Sequence, residues 1–194
     1  MSTKYVNMTM KMLGTLLFIV LSYSQMLNAQ AKDCNIILNG IDSQLYVKRI
    51  EMGQEVLFSH THPQLKASLR NREMVIGKAN ISVLDDDYYI RIEVAVASKN
   101  ARNTYGYIPQ TNTLTIKFID GKQSYLYSAA DAKGIYDQRR KKMVYNVFYL
   151  IKDVKELRKK ELDKIGIFWT TGYEEYAIYD IQLLMRQLEC LDKL

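Results

Sequence analysis

Between Tyr88 and Ala97 every second residue is aliphatic. Ile90, Ile92, Val94 and Val96 alternate with Tyr89, Arg91, Glu93 and Ala95. Side chains of a strand point to opposite faces in turn, so this order collects the aliphatic set on one face. The other face is left for water, which is the habit of antiparallel sheets. A helix would scatter the same residues around its circumference.

The pattern recurs along the chain. Asn35 to Leu38 reads as a short strand ended by Asn39-Gly40, and residues 44–58 as a further strand. His62-Pro63 breaks that element, and residues 64–72 are expected to hold one helical turn. Met74 to Val83 pairs with the 88–97 strand around Asp85-Asp86-Asp87. Residues 98–112 read as a polar connection. Leu114, Ile116 and Phe118 alternate with Thr113, Thr115 and Lys117, then Asp120-Gly121 leads into a strand from Ser124 to Ser128. Asp-Gly between such runs predicts a two-residue hairpin turn with positive φ at both central residues. Residues 129–142 read as a charged loop and Met143 to Ile151 as a strand. Asp153 is expected to cap a short helix carrying Val154, Leu157 and Leu162. Ile165 to Thr170 and Tyr176 to Tyr179 read as strands around Thr171-Gly172. Asp180 then opens a helix whose Ile181, Leu184, Met185, Leu188 and Leu191 form one apolar stripe. The expected fold is mainly β (α+β): an antiparallel β-sandwich, or a sheet with a short helix and a C-terminal amphipathic helix packed on it.

The N-terminus has its own logic. Lys4 and Lys11 precede an apolar run from Met12 to Leu21, and Ala29-Gln30-Ala31 follows. A basic end, an apolar centre and small residues at a cleavage point make a secretory signal. The apolar run is about half of the roughly 20 residues a membrane span needs. Residues 1–31 are therefore expected to be a cleaved signal peptide, and residues 32–194 a single β-rich domain in the periplasm or outside the cell. Cleavage after Ala29 or Ala31 fits. Both cysteines, Cys34 and Cys190, fall in the mature part, and an oxidising compartment favours one disulfide between them. Of 27 Lys+Arg and 21 Asp+Glu, the signal holds two basic residues, leaving the domain at +4. That mild charge does not point to nucleic acid. The 15 tyrosines suit half-buried strand positions more readily than a sugar-binding platform.

Reactive constellations are sparse. His60-Thr61-His62 would place two imidazoles on one strand face, too few ligands for a metal site. Asp85-Asp86-Asp87 lacks the spacing of a calcium loop and reads as a solvated turn. Trp169 reads as core, and Glu174 and Glu175, as strand neighbours, face opposite ways. No Gly-x-Ser-x-Gly elbow or glycine-rich phosphate loop occurs. No catalytic, cofactor-binding or metal-binding residue is therefore assigned. Arg139, Arg140, Lys141 and Lys142 form a basic run, diluted further on by Asp153, Glu156 and Glu161 among Lys155, Arg158, Lys159 and Lys160. Together the two clusters form the one candidate polyanion patch, suited to lipopolysaccharide phosphate or an acidic glycan, although such mixed charge reads more readily as a solvated face.

The signal ending Asn28-Ala29-Gln30-Ala31, the Ile/Lys/Tyr/Asn bias and the ending Arg186-Gln187-Leu188-Glu189-Cys190-Leu191 give the chain a wider likeness. It resembles the small exported proteins of uncharacterised families common in Bacteroidota-type Gram-negative bacteria. The resemblance implies a periplasmic or extracellular site and carries over no functional residue. The expected role is a non-enzymatic binding module of the cell envelope, with an envelope protein or glycan as partner, no cofactor, and no span of the membrane after cleavage. The alternative is an envelope glycan hydrolase whose carboxylates only the fold brings together.

Overall fold

The computed structural model describes residues 34–43, 46–65, 67–69 and 73–194, and in it eleven strands form one antiparallel sheet. They are β1 (Ile36–Ile41), β2 (Lys48–Met52), β3 (Glu55–His60), β4 (Val75–Leu84), β5 (Asp87–Val96) and β6 (Thr113–Phe118). β7 (Gln123–Ser128), β8 (Ile135–Asp137), β9 (Lys142–Ile151), β10 (Leu162–Trp169) and β11 (Gly172–Ala177) follow. Two helices join them, α1 (Ala101–Tyr105) and α2 (Leu183–Leu191). The expected mainly β architecture is thus realised as a sheet with a C-terminal helix packed against it. Residues 1–31, read as a signal peptide, lie outside the described residues.

The strands lie in the order β1-β2-β4-β5-β9-β7-β6-β10-β11, with β3 beside β4 and β8 beside β9. β4 changes partner along its length. Val75–Ala79 pairs with β3, and Ser82–Leu84 with β2. Gly53 and Gln54 break what the sequence presents as one strand over 44–58. At this bend the Gly53 N–H donates to the Asn35 carbonyl at 2.6 Å, and a Cβ on Gly53 would run into the Asn35 side chain.

The sheet then rolls. Beyond β11 the chain comes back against β3, where the Tyr179 N–H donates to the Leu57 carbonyl at 2.9 Å. Phe58 stacks on Tyr176 with ring centroids 4.3 Å apart. The roll encloses one core that includes Phe58, Ile81, Ile92, Val94, Ile116, Tyr145, Tyr149 and Trp169, and α2 adds Leu184, Leu188 and Leu191 to it. Burying each such aliphatic side chain contributes about 1.5–3 kcal/mol before the entropic cost of ordering it. Trp169 is core as expected, 5.0 Å from the rings of both Tyr105 and Tyr145.

Cys34 and Cys190 are disulfide-bonded. No helix among the described residues is long and apolar enough to cross a membrane.

Four local expectations are corrected. The helix predicted from Asp153 is a set of turns: Asp153 accepts the Lys155 N–H at 2.9 Å as a cap would, but Leu162 is taken by β10, paired with Phe118. The loop over 129–142 contains β8, and the connection over 98–112 contains α1. At Asp120-Gly121 only Gly121 takes positive φ, +83°, because the connection spans four residues and not two.

Candidate functional site

Each sequence candidate has a definite place in the roll. His60 closes β3 with its ring 6.1 Å from Tyr176, edge-on. His62 lies past the strand end, so the shared strand face that would have aligned the two imidazoles stops at His60. Asp85 and Asp86 make the β4–β5 turn. Asp85 takes φ of +53°, and its carboxylate accepts the Lys48 N–H at 3.1 Å, tying the turn to β2.

The clustered carboxylates are clamped by arginine. Arg49 joins Asp42 at 3.0 Å and Glu51 at 2.7 Å, and Arg91 reaches the same Glu51 at 2.5 Å. Arg186 joins Asp180 at 2.5 Å and Glu55 at 3.2 Å. Each carboxylate in these clusters therefore faces a permanent cation. A general acid of a glycan hydrolase needs the opposite, a carboxyl kept protonated by apolar surroundings.

Glu174 is set on the inward-facing row of β11, where the Tyr176 hydroxyl donates to it. Burial pushes the Tyr176 phenol far above its ordinary range, and the Glu174 charge adds to this. Tyr105 is pushed up to about 12, again by burial first and Glu174 second. These phenols stay protonated at any physiological pH, Tyr176 as a donor to Glu174 and Tyr105 as packing against Trp169.

The basic run occupies the turn between β8 and β9 at the end of the roll where β5 also finishes. Asp137 Oδ1 accepts the N–H groups of Arg139 and Arg140, each at 2.9 Å. The Arg140 guanidinium bonds Asp137 at 2.6 Å and Glu93 at 2.7 Å. The Arg140 N–H above all, and then its side chain, hold the Asp137 carboxyl below its usual range. Arg140 is thereby removed from the patch as a free cation. Arg139, Lys141 and Lys142 remain, and Lys141 takes φ of +53° at the tip.

The fold adds residues to this end that the sequence does not connect. Val96 of β5 pairs with Met143 of β9, and Tyr136 of β8 pairs with the same Met143. Lys99, just past β5, lies 5.7 Å from the centre of the Tyr136 ring. Arg102 on α1 donates through Nε and Nη2 to the Gly134 carbonyl, the Nε bond being 3.0 Å. A bridge between Ile108 and Ala132, with N–O distances of 3.1 and 2.8 Å, holds the two segments together. Arg102, Gly106, Tyr107 and Lys133 line a recess of about 230 Å³.

Several cations at this end lack a carboxylate partner. Arg49, Arg91, Arg140, Arg158 and Arg186 each have a carboxylate within ion-pair distance. Among the described residues Arg102 and Arg139 have none, nor do Lys99, Lys133, Lys141 and Lys142. Six cations thus stand at one end of the molecule; of the acids nearby, Asp137 and Glu93 are taken by Arg140, and Asp131 accepts the Gln110 N–H at 2.9 Å. Sequence reading found the run at 139–142. It missed Lys99, Arg102 and Lys133, which only the α1 docking and the Ile108–Ala132 bridge bring alongside. Comparison with family models, with curated proteins and with solved structures finds no match to this chain, so its site is read from this geometry alone.

Proposed function

We propose that this chain is exported and serves in the cell envelope as a non-enzymatic binding domain for an anionic glycan, held at its basic end. The observation that carries the reading is the group of unpaired cations Lys99, Arg102, Lys133, Arg139, Lys141 and Lys142 on one end of a rigid roll. Uncompensated like charge raises the local potential and draws a polyanion. Arginine adds planar donors suited to phosphate and carboxylate oxygens. The disulfide supports an oxidising compartment. The arginine clamps on the clustered carboxylates make binding a better reading than hydrolysis.

Two measurements test it. Protein recovered from an envelope fraction is expected to begin at Gln30 or Lys32, and a chain that keeps Met1 there contradicts export. The oxidised mature protein is expected to bind lipopolysaccharide and not neutral dextran, with affinity falling as salt rises. Arg139→Glu with Lys141→Glu is expected to weaken that binding at least tenfold. Equal binding of dextran, or no effect of the charge reversals, contradicts the reading.

A further inference from the structure

The recess beside α1 has features a merely charged surface does not need. The backbone around it and the Arg102 side chain are held in place. Arg102 is pinned by two of its five N–H donors on the Gly134 carbonyl, which leaves three for a ligand. Gly106 takes φ of +68°, and a Cβ there would run into Thr170 Oγ1. The Tyr107 N–H donates to that Thr170 Oγ1 at 3.1 Å, and the Thr170 N–H returns to the Tyr107 carbonyl at 2.9 Å. The Tyr107 backbone is therefore locked to the β10–β11 turn while its side chain stays 37% exposed. Lys133 follows Ala132, which the bridge to Ile108 holds in place. A site whose parts are already held loses little on binding.

The residues that line it bring two cations, one phenol and a glycine around a surface that is mostly carbon. An anion alone would use the cations and leave the ring idle. A neutral sugar would stack its weakly positive C–H face on the negative face of the ring and leave both cations idle. A sugar carrying an anionic group uses every part. The volume of about 230 Å³ lies below the roughly 300–1,000 Å³ of pockets for drug-sized ligands, which fits one monosaccharide unit.

We propose that this recess is a subsite for a single anionic sugar unit, with the pyranose ring on Tyr107 and its phosphate or carboxylate between Arg102 and Lys133. The assignment rests on the reading of the basic end as a glycan-binding surface and narrows it. The hairpin tip supplies long-range attraction, and the recess supplies selection.

The test is an amide-shift titration of the full oxidised protein with glucose 6-phosphate, glucuronate, glucose and inorganic phosphate. Both anionic sugars are expected to shift the amides of Arg102, Gly106, Tyr107 and Lys133, each with at least fivefold higher affinity than phosphate or glucose. Tyr107→Ala is expected to lower the affinity for the anionic sugars at least fivefold and to leave the weak response to phosphate unchanged. Lys133→Ala is expected to lower the response to both anions. No shift at the recess overturns the subsite, as does a response to phosphate or to glucose equal to that of the sugars. Lipopolysaccharide binding that survives Tyr107→Ala and Lys133→Ala but falls on charge reversal at Arg139 and Lys141 overturns the subsite and leaves the wider reading standing. Recess shifts with anionic sugars but no lipopolysaccharide binding overturn the wider reading and leave the subsite standing.

Discussion

Gln187 does at one position what a neighbouring strand does elsewhere. Where β4 passes from β3 to β2, the Ile81 N–H donates to Gln187 Oε1 at 2.7 Å. The Gln187 amide nitrogen donates to the Gly53 carbonyl at 3.0 Å, at the bend between those two strands. The side chain is 3% exposed, so water cannot replace it. Gln187→Ala is expected to strand a buried donor and a carbonyl and to cost about 1–3 kcal/mol. The melting temperature checks this, with a fall of several degrees expected for a domain of this size. Asp137 acts in the same way at the basic hairpin. Its folded pKa lies below the ordinary value of about 3.9. The stabilisation it gives is therefore complete above about pH 4 and is lost as pH falls through the lower folded value. Protection of the Arg139 and Arg140 amides, measured against their intrinsic exchange rate at each pH, is expected to fall as pH drops below about 4, while the core stays protected. Unchanged exchange relative to the core would contradict this role. Neither residue announces its role in the sequence. Gln187 sits in an apolar helical stripe, and Asp137 sits in what reads as a charged loop.

Elements were legible in proportion to how regularly their two faces differ. β5 and β6 alternate cleanly, and the structure places Ile90, Ile92, Val94 and Val96 inside as expected. β8 was illegible because it is three residues long and its Ile135 is 71% exposed, so no alternation marks it. The helix expected at 153–162 failed because Leu162 pairs with Phe118 instead of completing an apolar stripe. α2 was legible from its period, though the structure begins it at Leu183. The basic run could be seen, but its companions Arg102 and Lys133 stand about thirty residues apart and meet only through the Ile108–Ala132 bridge. The seam between β3 and the chain after β11 was also invisible, since it depends on the sheet curling. Gly77 on β4 is its clearest requirement. A Cβ there would enter the ring of Phe58, which is fully buried and stacked on Tyr176. Gly77→Ala is expected to overpack the seam at a cost of about 1–3 kcal/mol. Denaturant unfolding measures the loss, and faster exchange of the Tyr179 amide places it at the seam.

At the scale of the whole molecule the Cys34–Cys190 bond closes nearly the entire described chain into one loop. On the loop-entropy account such a closure stabilises by about 5 kcal/mol, through restriction of the unfolded ensemble. Its native surroundings are compact. Asn35 bonds to Gly53, Gly53 to Gln187, and Cys190 lies one turn further along α2. Reduction is expected to lower the unfolding free energy by a few kcal/mol and to leave the β-sheet spectrum intact below the melting temperature. Loss of the sheet at room temperature on reduction would show that the bond holds the fold together and does not merely reinforce it. The same rigidity positions the basic end, whose cations come from α1, the segment before β8 and the β8–β9 turn.

The most direct test of the account is a hydrogen-exchange map of the oxidised protein with and without lipopolysaccharide. Protection confined to residues 99–107 and 133–142 is the result predicted. The contradicting result is protection centred instead on the exposed tyrosines of β7, Tyr125 and Tyr127, with the basic end unchanged.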